Sequence, residues 1–329
     1  MKGTIFFENK PKIVAASSIG GPKESEGSIN EFIDVKLDDD MYGESTFEKA
    51  ESKMLFTALK NCMKIGKKNE SDIDAIIAGD LLNQIISSSF AVRNFNVPFL
   101  GIYNACASFC EALIIGASMI EANVANNVIC ATSSHFSSAE RQYRYPLELG
   151  STRPPQAQWT ITGGGASLLS NKGKGVKIVG ATIGRIIDYG VTDANNMGAA
   201  MAPSAADSIL RHFEGTNLTP DDFDLIVTGD LGTLGSRILK DLIWEKGFDI
   251  EKQHVDCGEL IYNICEQEYQ GGSGAGCSSL VFNSYLYKKL MQKKYKRILL
   301  ATTGALLSSV STQQGESIPG ICHIVQLEI

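Results

Sequence analysis

The chain is written twice. KIVAASSIG at 12–20 resembles KIVGATIG at 177–184, and DIDAIIAGDLL at 72–82 matches DFDLIVTGDLG at 222–232. NNVICATSS at 126–134 matches YKRILLATTG at 295–304, and GASLLS at 165–170 has its counterpart in GICHIVQLEI at 320–329. Matches that recur in one order predict a duplicated fold. The runs IIAGD, NVICATSS, LIVTGD and RILLATTG are apolar and β-branched, so they read as strands buried on both faces. Amphipathic segments such as 46–65 and 204–214 lie between them. Each half thus reads as strand, helix, strand, helix, strand, strand, and buried strands alternating with helices require α/β layers. The Gly/Lys-rich NKGKG at 171–175 joins the halves, dividing the chain into 1–172 and 173–329.

Charge and apolar patterning exclude several functions. A net charge of −7 leaves no basic stripe for nucleic acid and no general attraction to anionic lipid. The opening MKGTIFFENKPK lacks the apolar stretch of a signal peptide. The longest apolar helix, from Cys106 to Ala122, is interrupted by Glu111 and Glu121 and falls short of the roughly 18 apolar residues of a membrane span. Membrane association is therefore expected to be peripheral or through a partner. The cysteines are Cys62, Cys106, Cys110, Cys130, Cys257, Cys265, Cys277 and Cys322. None forms a CxxC pair, so no zinc site is expected. Most read as small buried hydrophobes of a reducing cytoplasm.

One cysteine stands apart. FLGIYNACASFCEAL at 99–113 is written as a strand ending at a helix N-terminus, with Cys106 at the junction. A thiol there feels the positive end of the helix dipole, which favours thiolate. Cys110, one turn later, reads as core. Two halves side by side, each with a strand-to-helix turn facing the other, resemble the thiolase superfamily, a duplicated βαβαβαββ unit in five layers. NACASF is similar to the Ala-Cys-Ala-Gly-Phe of initiating ketoacyl synthases, and the resemblance puts Cys106 on the nucleophile position.

A thiolate in Claisen chemistry needs donors that polarise the thioester carbonyl and a base for the proton. The resemblance implies that these helpers come from the second half, one after LIVTGD and one before GGSGAG. The first turn here reads Thr228-Gly229-Asp230-Leu231-Gly232, without histidine. The second reads Glu268-Tyr269-Gln270-Gly271-Gly272, with neither histidine nor asparagine at the expected place. An aspartate in place of a donor histidine reverses the charge needed to hold an oxyanion. A Cys106–His135 thiolate–imidazolium pair keeps acyl transfer or thioester hydrolysis as the alternative.

Without the helpers an anion pocket remains, because the helix start at Cys106 aims N–H groups into it. His135 follows the strand NVICATSS on the side where α/β proteins bind ligands, and reads as pocket or ordinary loop. Arg141 and Arg144, in AERQYRYP, offer forked donors for a carboxylate or salt bridges to Glu140 or Glu148. Arg185 is similar, with Asp188 nearby. Asp80 and Asp230 hold the same place in the two halves, and either pair at the pseudo-twofold or cap the next helix. His212 is expected exposed in a helix's last turn, His254 at a loop or strand edge, and His323 in the last strand. GGSGAG at 271–276 is a weak nucleotide motif and reads as close packing at a helix start. GGGAS at 163–167 reads as a tight β turn. Asp38-Asp39-Asp40 lacks EF-hand spacing and reads as a solvated loop.

GGPKESEGS, AGDLLNQ, ATSSHFSSAERQYRYP, DANNMGAAMAPSAAD, TGDLGTLGS, LKDL, GGSGAG, ATTGALLS and QQGESIP together resemble the stage V sporulation protein AD family, from near Pro22 to the last strand. The resemblance implies a non-catalytic protein of spore-forming bacteria. It implies work beside membrane proteins that move dipicolinic acid, with calcium, into the developing spore and release it in germination. It implies dipicolinate in the thiolase-like pocket and a place at the cytoplasmic face, peripheral to the spore inner membrane. The expected ligand set is Cys106, His135, Arg141, Arg144, Arg185, Asp80, Asp230 and Gly272, with Cys106 as pocket floor. No catalytic residue, metal ligand, cofactor or nucleic-acid partner is expected. A homodimer is, since thiolase-fold proteins pair through the first-half sheet.

Overall fold

The computed structural model describes residues 3–143, 153–263 and 270–329. The first half runs β1 (Thr4–Phe6), β2 (Lys12–Gly20), α1 (Pro22–Ser25), β3 (Val35–Lys36), α2 (Phe47–Ile65), β4 (Ala75–Gly79) and α3 (Ile86–Val92). It continues through β5 (Phe99–Gly101), α4 (Ser108–Glu121), β6 (Asn127–Ser134), α5 (Phe136–Tyr143), β7 (Trp159–Thr160) and β8 (Gly163–Ser170). The second half runs β9 (Val176–Thr182), α6 (Met197–Thr216), β10 (Leu225–Thr228), α7 (Gly232–Trp244), β11 (His254–Asp256), α8 (Cys257–Ile261) and β12 (Gly272–Ser273). It closes with α9 (Ala275–Val281), α10 (Tyr287–Met291), β13 (Arg297–Ala305), α11 (Ser309–Gln313) and β14 (Gly320–Glu328). A π-helical turn at Phe282–Leu286 joins α9 to α10.

The duplication is visible in the sheet. Its order is β11-β10-β13-β14-β9-β2-β8-β6-β4-β5, so the first half's 2-8-6-4-5 repeats as 9-14-13-10-11. Within each half the strand that follows the central helix, α4 in the first and α9–α10 in the second, pairs antiparallel with the closing strand, β6 with β8 and β13 with β14. The halves meet where β2 and β9 pair antiparallel at Lys12↔Lys177 and Ile13↔Val176. β4 and β6 are buried almost throughout, as strands covered on both faces must be.

Three apolar clusters build five layers. One packs α2 on the outer face of the first half's strands, through Ala50, Met54, Leu55, Ala58, Leu59 and Cys62. These residues recur at helical spacing behind a Thr46 cap that accepts the Lys49 N–H. A second packs α6 and α7 against the second half's strands. The third lies between, where α4 and α9 bury residues from both halves and Phe109 meets Phe282 at 5.7 Å. The cysteine-bearing turn therefore opens onto the centre of the molecule.

Some local expectations change. GGGAS is not a turn but the start of β8. Its glycines let α9 lie on the strand: a Cβ at Gly165 would come within 2.5 Å of the Ser279 carbonyl oxygen. GGSGAG supplies β12 and the start of α9, the close helix packing expected of it. His212 is buried, not exposed, between Thr182 Oγ1 at 2.9 Å and Gln326 Oε1 at 3.2 Å. His254 lies in the edge strand β11. Asp38, Asp39 and Asp40 are exposed, and Asp39 accepts the Met41 and Tyr42 N–H groups. The cysteines of the described residues are free and buried; Cys265 lies outside them. Among the described residues no helix is long and apolar enough to cross a membrane.

Candidate functional site

The turn between β5 and α4 places Cys106. Ala105 takes φ +50°, the left-handed region, at a cost of order 1 kcal/mol for an alanine. Ser108 holds the turn: the Asn104 N–H donates to its Oγ at 2.9 Å, and that hydroxyl donates to the Ala105 carbonyl at 2.8 Å. β13 presses on it from the other half, where a Cβ at Gly304 would come within 2.5 Å of the Asn104 carbonyl oxygen. Cys106 is thereby fixed just ahead of α4, 6% exposed, on the wall of a cleft.

The group facing this thiol is an acid. The Cys106 side chain faces the Asp230 carboxyl closely enough to pull that acid's pKa down against burial. Asp230 is buried; Thr303 Oγ1 donates to it at 2.8 Å and the Gly274 N–H at 3.1 Å. Burial pushes its pKa up to about 6 against these hydrogen bonds. A carboxylate here disfavours negative charge on the sulfur, where an imidazole would favour it. Gln270, at the second helper position, accepts from Thr233 Oγ1 and the Leu234 N–H and donates to the Pro155 carbonyl. Glu268 and Tyr269 lie outside the described residues.

The cleft has an empty volume of about 500 Å³, part of it open to solvent. Leu81, Ala105, Met197, Ala305 and Leu307 give it apolar walls. Tyr103 and Tyr143 close one side, their hydroxyls 2.5 Å apart, with Tyr143 donating to the Leu81 carbonyl. Glu140 lines the opposite chemistry: its carboxylate takes Arg153 Nη1 at 3.2 Å and Thr160 Oγ1 at 3.4 Å. Arg153 lies over Trp159 at 5.1 Å and Phe136 at 5.6 Å, and those rings stack at 4.1 Å. Ser273 also lines the cleft, and among the described residues its buried Oγ has no hydrogen-bond partner. Among the described residues lining the cleft there is no Lys, Arg or His.

The expected ligand set is only partly gathered here. Cys106 lines the cleft and Asp230 stands behind it. His135 does not reach it: Nδ1 accepts the Ser137 N–H at 3.1 Å, Nε2 lies 2.9 Å from the Asp40 carbonyl, and the ring packs on Phe47. Burial lowers its pKa, so it is a neutral structural imidazole. Arg141 is exposed and pairs with Glu48, away from the cleft and from the salt-bridge partners expected for it. Arg144 lies outside the described residues. Arg185 is exposed and pairs with Asp207, not Asp188. Asp80 accepts the Leu82 and Ser88 N–H groups at 2.8 and 2.7 Å, tying down the start of α3, and it raises the pKa of buried Glu51 beyond what burial does. Asp230 does not cap α7, whose start at Leu231 has no side-chain cap of its own. Gly272 stands one residue from the cleft wall, its carbonyl 3.4 Å from Gln158 Nε2. His323 accepts the Gly184 N–H and lies 3.3 Å from the Asn104 amide, with burial pulling its pKa down to about 4.

Tyr143, Arg153 and Ser273 were not singled out by sequence, and Glu140 entered only as a salt-bridge partner for Arg141 or Arg144. AERQYRYP did point to α5, but its cleft face carries Ala139, Glu140 and Tyr143, residues at helical spacing, and not the arginine between them.

A family model described as stage V sporulation protein AD matches residues 1–328. The chain is 39% identical over 327 residues to stage V sporulation protein AD of Bacillus subtilis (strain 168), covering 99% of this chain and 97% of that one. Among solved structures it is similar to cerulenin-bound OleA of Xanthomonas campestris, with TM-score 0.63 at 13% identity over 99% of this chain and 100% of that one. It is also similar to 3-oxoacyl-[acyl-carrier-protein] synthase III from Aquifex aeolicus, with TM-score 0.56 at 15% identity over 97% and 100%. These likenesses show the thiolase-like fold that the five layers and the doubled strand order describe.

Proposed function

The chain belongs to the stage V sporulation protein AD family, and on that premise we propose that it is a dipicolinate-binding protein rather than an enzyme. The family gives it a role in sporulation. In the proposal that role is to take dipicolinate, with calcium where calcium accompanies it, into the cleft beside Cys106 during uptake into the developing spore and release in germination. Its partners are membrane proteins of the same sporulation set, and it works at the inner membrane without crossing it. Two copies pair through the first-half sheet.

The observation that carries the binding reading is the buried Asp230 carboxyl facing the Cys106 thiol. A condensing enzyme needs donors around its thiolate; this thiol meets an acceptor. The sulfur is left as a wall of the cleft. Dipicolinate is a flat pyridine with two carboxylates, and apolar walls around a few polar groups suit such a ring. Calorimetric titration with dipicolinate, with and without calcium, tests this. We expect saturable binding that survives Cys106→Ala and is lost in Cys106→Trp, which fills the cleft. No saturable heat under either condition would remove the reading.

Retention of a thiol on a strained turn favours a second reading, a cysteine-dependent acyltransferase or thioesterase. An acyl adduct on Cys106 after incubation with a thioester, detected by intact mass, would move the protein to that class.

A further inference from the structure

A carboxylate ligand entering this cleft meets a carboxylate already there. Glu140 is 7% exposed, lines the cleft, and holds Arg153 at 3.2 Å. Arg153 is set in place by the Trp159 and Phe136 rings, so its fork is oriented before any ligand arrives. We propose that Glu140 is a built-in competitor, occupying Arg153 in the unliganded protein and giving way to a ligand carboxylate on binding. The proposal rests on reading the cleft as a carboxylate site.

At the guanidinium the exchange is one bond for another, while Glu140 on leaving also gives up Thr160. One charge-assisted N–H···O bond to the guanidinium is broken and one is made, so the net affinity is set by how tightly Glu140 competes. A second observation points to the same wall. Thr160 and Ser273 are register partners across the β7–β12 pair, and both line the cleft. Thr160 is spent on Glu140, while the Ser273 hydroxyl is buried without a partner among the described residues. Buried hydroxyls are normally satisfied, so Ser273 is placed to donate to the incoming carboxylate.

The test is calorimetric titration of pyridine-2,6-dicarboxylate into wild type, Glu140→Gln, Arg153→Gln and Ser273→Ala. Glu140→Gln removes the competitor and is expected to bind about tenfold tighter, although it weakens the ion pair of the half-buried Arg153 and melts at a lower temperature. Arg153→Gln is expected to bind at least about tenfold more weakly. A merely structural ion pair would make both variants bind more weakly together. Ser273→Ala breaks no side-chain hydrogen bond among the described residues. It is expected to keep the wild-type melting temperature while losing affinity several-fold, which keeps the test open should Glu140→Gln fail to fold. Wild-type binding with unchanged or weaker affinity in Glu140→Gln, or unchanged affinity in Ser273→Ala, overturns the exchange. No binding by wild type or by Glu140→Gln overturns the carboxylate reading beneath it.

Discussion

Asp230 decides what the thiol beside it can do, and it leaves a signature in pH. Buried behind Cys106, it holds its proton up to about 6, against 3.8 for an ordinary aspartate. Between those values the folded protein carries a proton that the unfolded chain has released. Stability from this group is therefore fully present below the lower value and is lost as pH rises through the higher one. Asp230→Asn removes that dependence while keeping a group of the same shape. Relative to wild type, the variant is expected to gain ~2–3 kcal/mol of unfolding free energy on going from about pH 4 to about pH 7. Glu24, a buried acid raised in the same direction, is common to both proteins and cancels in the difference; Asp256 owes part of its raised pKa to Asp230, so its relaxation in the variant adds to the same trend. Urea denaturation at the two pH values checks this, and parallel behaviour of the two proteins would contradict it. The sequence marked Asp230 by its match to Asp80 in the other half. It could not mark the sulfur as its partner, because that contact crosses between halves.

At the scale of elements, the start of α7 shows why some roles were legible and others not. DFDLIVTGDLG announces a strand, an acid and a helix, and the acid reads as the cap. The caps are made instead by Asp256, at the end of the neighbouring β11. It accepts the Leu231 N–H at 2.8 Å, the Gly232 N–H at 3.1 Å and the Gly258 N–H at 3.0 Å, and Thr228 Oγ1 at 2.6 Å. One carboxyl thus fixes the turn before α7 and the first turn of α8. Asp256→Ala orphans several buried donors at once and is expected to cost ~3 kcal/mol or more, above the ~1 kcal/mol of an ordinary cap, as measured by urea denaturation. A loss near the ordinary value would mean that water replaces the carboxyl. Local pattern recovered the strands, the long helices and the Cys106 junction, because hydrophobic period and turn chemistry are local. It misread GGGAS, whose glycines answer to α9 lying on the strand. It also misread His135, whose ring is consumed by Ser137 and by the distant Asp40 carbonyl.

The doubled architecture leaves two equivalent edges, β5 at one end of the sheet and β11 at the other. They are not equally guarded. β11 ends in the capping Asp256, and exposed Glu251 and Lys252 precede it. Charge at an edge discourages pairing with another chain. β5 reads Phe99-Leu100-Gly101 without charge; Leu100 is 45% exposed, and Phe90 of α3 and Tyr103 beside it are exposed as well. An uncharged strand edge with an apolar surround is a template for a second copy, and β5 is where the proposed homodimer is expected to pair. Wild type is then expected to sediment at twice the mass of the single chain, and Leu100→Lys at the mass of one. Because Tyr103 lies two residues beyond β5 and its hydroxyl meets that of Tyr143 on one side of the cleft, dissociation also removes support from that wall. Leu100→Lys is accordingly expected to bind dipicolinate several-fold more weakly than wild type. A wild type that sediments as a single chain, or a Leu100→Lys variant that stays dimeric, would show that β5 is not the seam; a monomeric variant with full affinity would separate the seam from the cleft.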